Sequence, residues 1–385
     1  MNYFHLAPRH KDEPHRAATT LELMFDLASV IAIAAAAIGL HHGIAQGHAL
    51  EAIPQFLFAF FAIWWSWMNY TWFASAYDNG SPGFLVLSMV AMFGALMVAA
   101  GIPAIFSHNP IILCLAGYVV MRVAMALFWF AAAAGDPERR KTALGYGVGI
   151  LVMQCYWIAT VLMLAPQAGM YAPFLVIGII GELAVPALSE YFYGDTTWHR
   201  HHIIERYGLL NIIVLGECFL AIVAMLVLDE QGSPASWHSI LFAVTAAVIT
   251  FSMWGLYFTD EEHLRDDALR RALFWGYGHF IIFAAGAAAG AGFAVVHEVA
   301  SGHAQIGAFT ASLSVAIPVA IYMLMMWIVR DRFTPAHWRK LAIPVGAVAV
   351  ALVPLVVSEA LPAIAAIILV TVIVRRGFKE RRIPA

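Results

Sequence analysis

Apolar residues in this chain run in blocks of about twenty, broken by short polar clusters. The blocks lie near 21–41, 53–74, 84–106, 111–133, 143–164, 171–190, 207–228, 236–258, 271–296, 306–330, 341–357 and 361–375. A helix needs about 20 predominantly apolar residues to cross a bilayer, so the pattern predicts an all-α polytopic membrane protein with about twelve transmembrane helices. The last two blocks are short and joined by little more than Ser358 to Leu361, and ten spans followed by a re-entrant hairpin is the alternative. The polar breaks divide the chain into an N-terminal segment (1–19), a first six-helix half (20–190), a linker (191–206), a second six-helix half (207–376) and a basic tail (377–385).

Composition names the solvent. Of 385 residues 62% are hydrophobic and 12% charged, too little polar surface to cover a water-soluble body. The lipid bilayer is therefore the first partner the sequence implies. The KDEPHRAATT stretch leads into the first block without the pattern of a cleavable signal.

Charge then orients the chain. Of the 21 Lys and Arg residues, all but Arg122 fall at the ends of the chain or in alternate loops, while loops such as HHGIAQGH and LDEQGSPAS hold none. The positive-inside rule puts both termini in the cytoplasm. The basic residues are thus used for topology, and the net charge of -3 points to no nucleic-acid partner. Cys114, Cys155 and Cys218 fall inside apolar blocks and read as small packing residues.

An internal repeat is suggested by offsets. Glu22 and Glu205 stand 183 residues apart at the entrances of the first and seventh blocks, and Trp67 and Tyr70 stand 187 residues before Trp254 and Tyr257, with acids following at Asp78 and Asp260. An even number of spans per half makes this a parallel six-plus-six repeat, as in some transporters.

Candidate chemistry comes from charges placed in apolar runs. A charge at the bilayer centre costs at least about 2.5–3.5 kcal/mol, so each should face a partner or water. At about 1.5 Å per residue, Arg122, Glu182 and Glu217 fall at similar depth in their spans and are expected to form one polar cluster that binds a substrate or ion. The structural alternative is a buried Arg–Glu pair that sets helix register. Pro186 has no N–H, so the Glu182 carbonyl loses its helical partner and stands beside the Glu182 carboxylate. Such a turn suits a hydrated cation or a proton-relay water, and the alternative is a proline kink healed by a neighbouring hydroxyl or water.

Glu22, Asp26 and Ser29 share one helical face at the start of the first span. Asp26 is expected to belong to the pathway, with Glu22 a solvated residue capped by Thr19 or Thr20. In WWSWMNYTWF, Trp72, Phe73 and the nearby Tyr77 read as an aromatic belt. Trp64, Trp67 and Asn69 lie deeper, where they either wall a site for an organic cation or pack. His199 and His202, one turn apart, with Glu205 as a third ligand, fall short of a structural zinc set, and metal binding stays undecided. The glycines of GYGVGI lack a phosphate-loop context and, with Gly286 and Gly290, read as helix-packing surfaces. No cofactor is expected, and homo-oligomer formation stays open.

LELMFDLASVIAI, WWSWMNYTWFASAYD, GYVVMR, GELAVPALSE and HHIIERYGLLNIIVLGE, in this order, resemble the bacterial low-temperature-requirement A family. The strongest piece is His202, Glu205, Arg206, Gly208, Leu209, Leu215, Gly216 and Glu217. Met24, Ala28 and Ser29 depart from the family's usual first-span wording, and Cys218 stands where Ser is usual, but the acids remain. The resemblance implies a multi-pass protein of the bacterial membrane and brings no reaction with it; Glu205 and Arg206 are expected as structural or pathway residues, beside Glu22 and Pro186, in a protein of the inner membrane.

Three function classes survive. A secondary transporter or permease with proton or cation coupling accounts for the intramembrane charges, the proline-broken span and the repeat. An ion channel is the alternative, because the Phe25–Asp26 pair distantly resembles six-helix potassium channels. A membrane-embedded enzyme comes third, without a catalytic arrangement to support it.

Overall fold

A computed structural model describes residues 6–10, 13, 16–164, 171–227, 236–259, 264, 268–333 and 341–376. The basic tail, Asp260, Lys11, Arg265, Arg339, Lys340 and most of LDEQGSPAS lie outside the described residues. Among those described, the chain forms twelve α-helices and no strand: α1 (Thr20–Ala45), α2 (Ala49–Tyr77), α3 (Pro82–Phe106), α4 (Ile112–Gly135), α5 (Arg140–Leu164), α6 (Tyr171–Tyr193), α7 (Arg200–Leu226), α8 (Trp237–Tyr257), α9 (Leu269–Ala300), α10 (Ala308–Val329), α11 (Ala342–Leu352) and α12 (Leu361–Arg376). Ten of them, α1 to α10, are long and apolar enough to cross a membrane. At 11 and 16 residues α11 and α12 are shorter, so the twelve apolar blocks become ten long helices and a short apolar pair.

Local signals start these helices where the polar breaks fall. Thr19 and Glu22 form a reciprocal cap at α1: Thr19 N donates to Glu22 Oε2 (2.8 Å) and Glu22 N donates to Thr19 Oγ1 (3.2 Å). Ser81 caps α3 by accepting from Phe84 N, with Pro82 in the first turn, where its missing N–H costs nothing. The α2–α3 turn is tied by Gly80 N donating to Asp78 Oδ1 (2.9 Å), and Gly80 adopts a φ of 65°, a left-handed conformation that favours glycine.

Polarity is inverted relative to a water-soluble protein. On α1, Glu22, Asp26 and Ser29 are buried while Leu23, Met24, Leu27 and Ile31 are exposed. Exposed apolar side chains also line α3 (Val86, Phe93) and α5 (Val148, Val152). A lipid environment accepts such a surface and water does not.

The chain forms two compact units. Unit 1 holds residues 1–36, 57–207 and 267–273, and unit 2 holds 37–56, 208–266 and 274–385. In unit 1, α3 packs on α4, α4 on α5 and α5 on α6. A Cβ on Gly117 would fall 2.6 Å from the Gly94 carbonyl oxygen and the Val98 nitrogen, so α3 and α4 cross at backbone contact. Gly145 and Gly149 face Ser189 and Val185 of α6, and Gly147 faces Phe130 of α4, which makes GYGVGI a packing surface. In unit 2, α12 packs on α8, and α11 on α10 and α12. There Gly286 receives Val214 of α7, and a Cβ on Gly290 would fall 2.8–2.9 Å from the α7 backbone at Glu217 and Cys218.

Candidate functional site

Two clusters of buried charge stand out in unit 1. The first is a cage around Glu182 of α6, which is fully buried with its cationic partner Arg122. Arg122 Nη2 donates to Glu182 Oε2 at 2.7 Å, beside Trp65 Nε1 at 3.0 Å. Glu182 Oε1 accepts from Tyr118 OH (2.9 Å), Trp157 Nε1 (3.1 Å) and Gln154 Nε2 (3.3 Å). Five donors from α2, α4 and α5 thus converge on one carboxylate, whose lone pairs make about four acceptor sites.

Helical spacing and one glycine build the cage. Tyr118 and Arg122 are i, i+4 on α4, and Gln154 and Trp157 are i, i+3 on α5, so each pair leaves its helix on one face. Gly178, one turn before Glu182, has no side chain, and the Trp157 ring occupies the space where a Cβ would lie. That close approach seats the indole N–H against the carboxylate. Arg122 Nε and Nη1 and Gln154 Oε1 are buried without a hydrogen-bond partner among the described residues.

The second place joins the starts of α1 and α7. Arg206 Nη1 and Nη2 donate to Asp26 Oδ2 and Oδ1, both at 2.6 Å, and Trp67 Nε1 donates to Asp26 Oδ1 at 2.7 Å. The Arg206 guanidinium also lies 5.7 Å from the Trp67 ring centre, and Tyr207 meets that ring edge-on. One turn back on each helix, His202 Nε2 lies 3.0 Å from Glu22 Oε1, with Arg16 Nη2 3.8 Å from the same oxygen. Two carboxylates, two guanidiniums and one imidazole form this layer, so the formal charges of its acids and guanidiniums balance.

The N-terminal segment lies over this layer. Arg9 N donates to Ala76 O (2.8 Å), Arg9 Nη1 to Asp78 O (2.5 Å) and Arg16 Nη2 to Ala74 O (2.9 Å), which occupies the last carbonyls of α2. Burial pushes the Asp78 carboxyl above its ordinary pKa, and the hydrogen bond from Gly80 N acts in the opposite direction.

Glu217 belongs to unit 2 and has other surroundings. It is 7% exposed, its backbone lies against Gly290, and within its unit no described residue makes a hydrogen bond or ion pair to its carboxylate.

Arg122 takes Glu182, one of the two acids expected beside it, as its ion-pair partner, and Glu217 belongs to unit 2. Glu22 is capped by Thr19 as expected, but it is fully buried against His202 and not solvated, because Arg16 and His202 offset its charge. Glu205 is exposed and takes no part in either cluster. His199 is no free ligand: its Nδ1 caps α7 by accepting from His202 N (3.3 Å), and its Nε2 meets Glu13 O (2.8 Å). Among the described residues no group of three or more His, Cys, Asp or Glu is placed to hold a metal. Asn69 turns back on its own helix, donating to Trp65 O (2.8 Å). Phe73 and Tyr77 form no interfacial belt, since both are buried among Phe84, Phe128 and Trp129. Cys155 is exposed, unlike Cys114 and Cys218. Pro186 lies inside α6, one turn after Glu182. Trp65, Tyr118, Gln154 and Trp157 complete the cage around Glu182, and along the chain helical spacing is their only signal.

Residues 17–375 match the family model described as bacterial low temperature requirement A protein (LtrA). An uncharacterized protein of Rhizobium meliloti (strain 1021) is similar, 26% identical over 398 aligned positions that cover 95% of this chain and 90% of the relative. No solved structure matches.

Proposed function

The chain belongs to the bacterial low temperature requirement A family, and from that premise we propose that it is a secondary transporter or permease, not an enzyme, coupled to protons or cations. The reading places it in the bacterial inner membrane with both termini in the cytoplasm, which the distribution of Lys and Arg supports. One observation carries it. Glu217 is a carboxylate buried in an apolar helix with no donor or cation among the described residues of its unit to satisfy it. Intramembrane carboxylates of this kind are costly, and proton relays and ion pathways are where they occur. Because Arg122 is already paired by Glu182, Glu217 is free of the register-setting role that would explain it otherwise.

The test is reconstitution. Proteoliposomes holding a pH-sensitive fluorophore are given an inward proton gradient and a panel of small anions and organic cations. Saturable, gradient-dependent uptake of a solute that is lost in Glu217→Gln, while that variant melts near wild type, supports coupling at Glu217. Gradient-independent current points to a channel. Uptake that is unchanged in Glu217→Gln removes this residue from the mechanism.

A further inference from the structure

We propose that the five donors around Glu182 form a receptor for a small carboxylate, occupied at rest by the protein's own Glu182 side chain. Every group that meets the two oxygens is a donor toward them: two indoles, a phenol, a primary amide and a guanidinium. A structural ion pair needs one or two such bonds, whereas this carboxylate collects more donors than it has lone-pair sites. The donors come from three helices other than its own, so the receptor is complete without α6. Recognition is by planar, two-oxygen geometry and a single compensating charge, which selects a monocarboxylate.

Two further features suit exchange. Arg122 Nε and Nη1 have no acceptor among the described residues, so an entering carboxylate can engage the guanidinium before Glu182 releases Nη2. Pro186 removes the helical hydrogen bond to the Glu182 carbonyl, which makes this turn of α6 the one able to bend and withdraw the side chain. When the Glu182 side chain withdraws, the free anion replaces its carboxylate beside Arg122, one negative charge for another, and the charge of the cage is unchanged. Binding at this place does not depend on the transport reading or on Glu217.

The experiment uses the full chain in detergent and sodium acetate as the probe, against sodium chloride at equal ionic strength, with melting followed by tryptophan fluorescence. Glu182→Ala deletes a CH2–COO group that acetate replaces nearly atom for atom. Acetate should raise the melting temperature of Glu182→Ala saturably, with a midpoint on the order of millimolar. In the wild type the tethered carboxylate competes, and the midpoint should be at least about tenfold higher. Glu182→Gln, whose amide fills the space, and the double variant Glu182→Ala, Arg122→Gln should not respond. Recovery of folded Glu182→Ala from acetate but not from chloride would also support the receptor. No response in a monodisperse Glu182→Ala, an equal response in the double variant, or loss of Glu182→Ala from both salts would overturn it.

Discussion

Removing either half of the Arg122–Glu182 pair should have unequal effects, because the two partners keep different company. Arg122→Gln takes away one charge-assisted bond at 2.7 Å, yet the carboxylate retains Trp65, Tyr118, Gln154 and Trp157 as donors. Those four hydrogen bonds remain, so the loss is about that of the charge-assisted bond, roughly 1.5–3 kcal/mol. Glu182→Gln is worse. It leaves Arg122 as a buried cation whose Nε and Nη1 already lack acceptors, and it turns an amide NH2 toward groups that themselves donate. An uncompensated buried charge costs about 3–5 kcal/mol. Glu182→Gln should therefore melt below Arg122→Gln, by an amount corresponding to about 1–2 kcal/mol on those figures. The double variant should melt above the sum of the single losses, with a coupling of about 0.5–3 kcal/mol. Thermal melting in one detergent, with size exclusion to confirm the folded state, measures all four proteins. Equal damage from the two single variants, or additive losses in the double, would refute the view that the neutral donors carry Glu182.

Other outcomes follow from single contacts. Gly290→Ala should cost about 1–3 kcal/mol in melting experiments, since its Cβ would meet the α7 backbone at 2.8–2.9 Å. Gly216→Ala, with nothing within 4 Å, should be neutral or gain up to about 1 kcal/mol of helix propensity in the same assay. Thr19→Ala removes the α1 cap and should lower stability by about 1 kcal/mol, an effect that Thr19→Ser largely restores. Arg9 holds the Glu13 carboxyl below its ordinary value of 4.5. A lowered folded pKa means that this contribution is present above 4.5 and lost as pH falls through the folded value. For so exposed a pair it is small and salt-sensitive. Proteolysis of the N-terminal segment should accordingly rise modestly in acid, and not in Arg9→Ala. For orientation, cysteine at Gly47 should label from outside the cell and cysteine at Arg140 only after permeabilisation, in a background where the exposed Cys155 is serine.

What could be read along the chain was whatever depends on one helix at a time. Apolar blocks need no partner to be recognised, and α1 to α10 begin and end close to the blocks that predict them. The cap at Thr19, the buried face carrying Asp26 and Ser29, and the packing use of Gly286 and Gly290 are likewise local in origin. The partner of Arg122 is a different kind of fact. Depth along a helix treats Glu182 and Glu217 alike, since both lie well inside apolar runs, whereas contact depends on which way α6 and α7 turn. That rotation is set by features such as Gly178, whose missing side chain admits the Trp157 ring and brings its N–H to Glu182. Tyr118 with Arg122, and Gln154 with Trp157, have spacings that ordinary packing shares, so neither pair announces a site in one dimension. Two glutamates of equal apolar context thus acquire opposite chemistry from their neighbours. Five donors surround Glu182 and make its removal an architectural and anion-binding question, while Glu217 meets no described donor in its unit, which is why the proposed coupling rests on it.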